Sequence, residues 1–141
     1  MKPRFLKRFG ADQGGAAIVE FAFVAPVLAA AVVMIGDGAN LILHYYDMRA
    51  AVSSAAQYVM VGGSSLTTAQ SIGMSAWSTR DPSGAMTVTN ACLCGATVSV
   101  CNQLCPDQSV PLSYTTVQAS STYSGALLSQ ALSAQQVVRV R

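Results

Sequence analysis

Residues 16–35, AAIVEFAFVAPVLAAAVVMI, form an apolar run whose sole charge is Glu20. As a helix rising 1.5 Å per residue, such a run spans about 30 Å, the thickness of a bilayer's hydrocarbon layer. Its strongly apolar members (Ile18, Val19, Phe21, Phe23, Val24, Val27, Leu28, Val32, Val33 and Ile35) together favour insertion by roughly 3–6 kcal/mol. A carboxylate at the centre of a membrane helix costs about 2.5–3.5 kcal/mol, and Glu20 lies near one end. The run inserts, and its one charge is unnecessary for insertion. Pro26 is expected to bend this helix without destroying it.

The rest of the chain is of another kind. Residues 62–141 are rich in Ser, Thr, Gly and Gln, so the overall 52% hydrophobic and 10% charged content averages a membrane segment with a polar domain. The formal net charge of +2 is a similar average. Lys2, Arg4, Lys7 and Arg8 against Asp12 make the first fifteen residues locally +3, whereas the balance after residue 15 is −1. This pattern gives no basis for nucleic-acid binding. It sets topology instead: cations stay cytoplasmic, placing the N-terminus inside and residues beyond the apolar run outside. A secretory signal would carry its cleavage site after the apolar core. Here Gly14-Gly15 precede the core, so the helix is expected to be retained.

Beyond Gly36 the helical pattern continues. Leu41, Tyr45, Met48, Val52, Ala55 and Val59 recur in steps of four and three and mark one face. Asp37, Asn40, His44, Asp47 and Ser54 fall on the opposite side, which reads as solvated or packed on a neighbouring molecule. Gly62-Gly63 ends the helix. A second helix is predicted over Thr67–Ser78, capped from Ser64-Ser65. Past the break at Asp81-Pro82-Ser83-Gly84 the period shortens. Residues 86–89, 97–100, 114–117 and 137–140 read as short strands, with a further helical turn or two over Gly125–Leu132. The expected fold is α+β: a basic leader over 1–15, a long helix over 16–61, and a small extracytoplasmic domain over 62–141 with a short helix and an antiparallel sheet.

Cys92, Cys94, Cys101 and Cys105 permit three disulfide pairings. Nesting Cys94 with Cys101 and Cys92 with Cys105 around a turn is the simplest. Zinc is the rival, but the C-x-C-x6-C-x3-C spacing departs from the usual C-x2-C pairs, and an oxidising compartment favours disulfides. His44 is the only histidine, so metal catalysis is not expected. The serines and threonines lack a base nearby in sequence and read as strand surface rather than nucleophiles. No cofactor is expected.

The junction carries the most specific signal. A basic leader followed by Gly15-Ala16-Ala17-Ile18-Val19-Glu20-Phe21 resembles the processing site of type IV prepilins. The resemblance implies that a prepilin peptidase cuts after Gly15, making Ala16 the first residue and Glu20 the fifth. Phe21, the stretch Tyr46–Val52 with Ala55–Val59, and the terminal Leu132–Val140 look like the TadE-like pseudopilins of the tight-adherence branch. Major pilins of that branch are little more than the helix, so the added domain implies a minor subunit. By that resemblance Glu20 and Phe21 serve assembly, the glutamate being neutralised by a neighbouring subunit's new α-amino group. The implied partners are the peptidase, other pilin subunits, the inner-membrane assembly machinery and membrane lipid. The alternatives are a type II secretion pseudopilin, for which Ala16 at the first position fits poorly, and a membrane-anchored extracytoplasmic binding protein.

Overall fold

A computed structural model describes residues 14–140; the leader up to residue 13 lies outside them. One helix, α1 (Gly14–Met60), runs unbroken through Pro26 and is about 70 Å long. Its first half contributes no residue to the buried core. Its large apolar side chains from Ile18 to Ile35 stand exposed, Phe23 at 76% and Ile35 at 72%, as lipid-facing side chains would be without their lipid. This apolar segment fits a single-pass membrane anchor.

The second half of α1 is the spine of the folded domain. Gly62 at φ +98° and the bonds Gly62 N to Val59 O (3.1 Å) and Gly63 N to Tyr58 O (2.9 Å) close the helix in a Schellman turn. Helix α2 (Leu66–Ala76) follows, with the Ser65 hydroxyl capping Thr68 N at 3.2 Å. The chain then enters a four-stranded antiparallel sheet made of β1 (Ala85–Cys94), β2 (Thr97–Ser99), β3 (Leu112–Ser124) and β4 (Ser129–Val140), in spatial order β2-β1-β3-β4. β1–β2 and β3–β4 are hairpins, while the β2–β3 connection passes β1 to place β3 on its other side. Met86 faces Ala119, Val88 faces Val117, and Thr115 faces Val138.

The core lies between α1 and the inner face of this sheet. Met48, Ala51, Val52, Ala55, Ala56 and Val59 from α1 meet Ala69, Trp77, Met86, Val117, Ala119 and Val138. Small residues let the layers approach. A Cβ on Gly73 of α2 would land on the Met86 sulfur and lie 3.1 Å from the Ala55 methyl.

Three expectations are corrected. Gly125–Leu132 is not helical: Gly125 N bonds Leu128 O at 2.8 Å in a tight β3–β4 turn, and residues 129–132 extend β4. Leu132, read as helical, instead pairs with Ser121 in the ladder. The polar side of α1 is not uniformly solvated either. Asp37 is 6% exposed, and His44 and Asp47 are half-buried, because the β3–β4 turn and the segment after α2 wrap onto that side.

The disulfides join Cys92 to Cys101 and Cys94 to Cys105, not the nested pairs. The β1–β2 register explains this. Cys94 lies opposite Thr97 and Cys92 opposite Ser99, so Cys101, two residues past Ser99, arrives beside Cys92 and is carried away from Cys94. The chain then turns past Cys101, with Gln103 N bonding Val100 O at 3.3 Å, and Cys105 meets Cys94.

Candidate functional site

The chemistry-bearing residues fall at three levels along α1 and the sheet. At the first level is the junction. Gly15 is exposed and already helical, in the first turn of α1. Glycine costs a helix up to about 1 kcal/mol against alanine, so Gly14 and Gly15 weaken this first turn. Ala16 lies in the same turn. Glu20 is exposed, with Phe21 beside it at 68%. Both stand on the bare membrane half, away from every element of the domain. Ala17, Ala22, Ala29 and Ala30 are exposed on the same half, leaving room for another helix to approach closely.

The second level lies just past the apolar run. Here Asp37 receives Tyr123 Oη–H (2.7 Å), Ala126 N–H (3.2 Å), Leu127 N–H (2.8 Å) and Leu128 N–H (2.8 Å). Tyr123 also donates to the Asp37 carbonyl at 3.1 Å. One carboxylate thus gathers the donors of a whole β-turn, in the manner of an anion held in a backbone nest. The Tyr123 hydroxyl, then the Leu127 amide and the other turn amides, hold the Asp37 carboxyl below its ordinary value, against a smaller opposing effect of burial. The same contact pushes the Tyr123 phenol up. His44 stands edge-on to Tyr123 with ring centroids 5.2 Å apart. Gly125 is required here, because a Cβ at that position would fall on Asp37 Oδ1.

Ten residues further on, almost three helical turns, Asp47 ties α1 to the segment after α2. Burial pushes its carboxyl up, but bonds from Thr79 N (2.7 Å), Thr79 Oγ1 (2.8 Å) and Ser78 Oγ (3.2 Å) outweigh that and leave it lowered. Asp81 likewise takes bonds from Ser83 and Ser121. These aspartates are satisfied by hydroxyls and amides, and they work as clasps.

The third level is the far end of the sheet, where both disulfides hold a lobe between β2 and β3. Val98 (79% exposed), Val100, Leu104 and Val110 project from it. Among the described residues no cluster of metal-ligating side chains occurs. His44 does not meet Asp47 in a ligand set; its ring is taken up by Tyr123.

The sequence alone points to disulfide-bonded cysteines, which the structure has, but misses the Asp37 clasp. Its signal was present in the uncharged stretch 108–138. A β3–β4 hairpin with no charge near its turn, beside a helix carrying an aspartate between two glycines, leaves that aspartate to bond backbone.

Residues 15–57 match the model of a family described as TadE-like protein. No curated protein and no solved structure matches the chain. The matched segment begins at Gly15, takes in the whole apolar run, and ends in the part of α1 that forms the core.

Proposed function

We propose that this chain, which matches the TadE-like model over residues 15–57, is a minor pilin needed to assemble a tight-adherence pilus. The family match over residues 15–57 supports a link to that pilus, and the role of a minor subunit is our reading. One observation carries it. A bare apolar helix bearing a single carboxylate continues without a break into the spine of a folded domain. A plain anchor needs neither the carboxylate nor the rigid continuity. A subunit that must leave lipid and stack with others uses both.

In this reading the peptidase unwinds the glycine turn, cuts after Gly15, and exposes the amine of Ala16 at the cytoplasmic face. Glu20 then pairs with the amine of an adjacent subunit, which sets the axial stagger between helices. The small residues of the membrane half allow close packing, and Phe21, Phe23 and Leu28 supply contact area. The domain carried at the other end is extracytoplasmic, in keeping with its two disulfides. The protein works by assembly, and no residue is assigned a catalytic role.

Sequencing the mature N-terminus tests the first step, with Ala16 expected as residue one. Glu20→Ala tests the second: the variant should be processed and inserted normally yet fail to support piliation. A chain retaining Met1 in cells with an active peptidase would falsify the proposal. A second reading, a membrane-tethered binding protein, draws on the apolar side chains of the disulfide lobe. Under it Glu20→Ala leaves function unchanged.

A further inference from the structure

We infer that the β3–β4 turn is a second membrane contact, with Leu127 and Leu128 dipping into the extracytoplasmic face of the bilayer that α1 crosses. The inference rests on the reading of residues 16–35 as a membrane helix. Its own evidence is the position and chemistry of the turn. Asp37 lies two residues past Ile35, about 3 Å along the helix axis from the end of the apolar run. Its carboxylate takes the amides of Leu127 and Leu128, so the turn is fixed at the lipid boundary.

The turn also overlaps the membrane segment itself. Ser124, Gly125 and Ala126 share a shallow groove with Val33 and Gly36 of α1. Val33 lines this groove, so the turn stands at the level of the last apolar turn of the helix.

The composition suits lipid rather than water. Tight turns ordinarily carry Asn, Asp, Gly or Ser, whereas this one reads Gly125-Ala126-Leu127-Leu128. Leu127 is 58% exposed and Leu128 42%. No charged residue lies between Asp107 and Arg139, so nothing on the β3–β4 hairpin near the turn would have to shed a charged hydration shell. The amides that a turn would otherwise expose to the interface are occupied by Asp37. The backbone at the boundary is therefore satisfied, as contact with lipid requires. Interfacial segments bury apolar side chains roughly 5–10 Å into the headgroup and acyl boundary, within reach of two leucines at this level. The contact would hold the domain at a fixed tilt on the membrane surface.

The test uses the full chain in phosphatidylcholine vesicles with or without acyl-chain-brominated phosphatidylcholine, which quenches tryptophan on contact. Trp77, buried in the core, stays as an unquenched reference. Leu127→Trp and Leu128→Trp are compared with Phe23→Trp in the membrane helix and Val98→Trp on the distal lobe. The expected result is a blue-shifted added emission, largely lost in brominated vesicles, for both turn variants and for Phe23→Trp, with none lost for Val98→Trp. If Phe23→Trp is quenched while both turn variants behave like Val98→Trp, the inference is overturned and the anchor stands. If Phe23→Trp also escapes quenching, the anchor reading has failed and takes the inference with it. In the unsubstituted chain, a nitroxide on the upper acyl chain should broaden the Leu127 and Leu128 methyl signals; sharp signals there would also overturn it.

Discussion

Asp37 is the residue on which the geometry turns. Its carboxylate is stabilised by donors that exist only in the folded state, so its folded pKa lies below the unfolded value near 3.8. The sign follows from linkage. The unfolded chain binds the proton first as pH falls, so the stabilisation is complete above the unfolded value and is lost as pH drops through the folded one. Melting of the domain should therefore fall steeply below about pH 4. Asp47, Asp81 and Asp107 are lowered too and contribute to the same slope. Asp37→Asn should lower the melting temperature at pH 7 and make the acid slope shallower. An unchanged slope would mean that Asp37 is not held by its donors. Gly125→Ala should be at least as damaging, since its methyl group takes the place of Asp37 Oδ1. Ordinary turn glycines tolerate alanine far better when their φ is negative.

At the scale of elements, what was legible depended on how local the cause was. The long helix, its glycine end and the Ser65 cap follow from periodicity and side-chain chemistry within one turn, and the structure has all three. The strands were found but read too short. Gln118 to Ser121 and Ser133 to Gln136 carry little β-propensity, and they are strands because each completes the other's ladder. Leu127–Leu132 looks helical by propensity alone, and the turn held by Asp37 overrides it. The cysteine pairing depended on a hairpin register that spacing does not encode. In the chain-entropy account each observed loop, with separations of 9 and 11 residues, stabilises by roughly 2.5–3 kcal/mol. Cys92→Ser/Cys101→Ser should therefore loosen the lobe between β2 and β3 first. Thermolysin is expected to cut there while α1, β3 and β4 stay intact; cleavage spread evenly over the sheet would contradict this. Met48→Ala, by contrast, opens a cavity under the sheet at a fully buried side chain. It should cost about 2–4 kcal/mol, or roughly 10–25 °C in melting temperature.

For the whole molecule, one helix serves two solvents, and the boundary between them is sharp. The buried core draws on α1 only from Met48 onward, with Tyr45 packed against it, whereas Ile18 to Ile35 contribute nothing to it. A chain beginning at Gly36 should therefore fold as a soluble monomer. It keeps the core, both disulfides and the Asp37 clasp, and the carboxylate at the new helix N-terminus gains from the helix dipole. Starting at Leu41 instead removes no residue of the core cluster but takes Asp37 away, leaving the amides of 126–128 and the Tyr123 hydroxyl without their acceptor. Thermal melts and amide exchange on the two fragments separate the contributions. The shorter fragment should melt lower, with exchange fastest at Gly125–Leu128 and slow protection kept at Val117 and Val138. Equal melting temperatures would mean that the hairpin is held by its own ladder. The β3–β4 turn would then be free to lift away from α1 and would have no fixed height above the membrane.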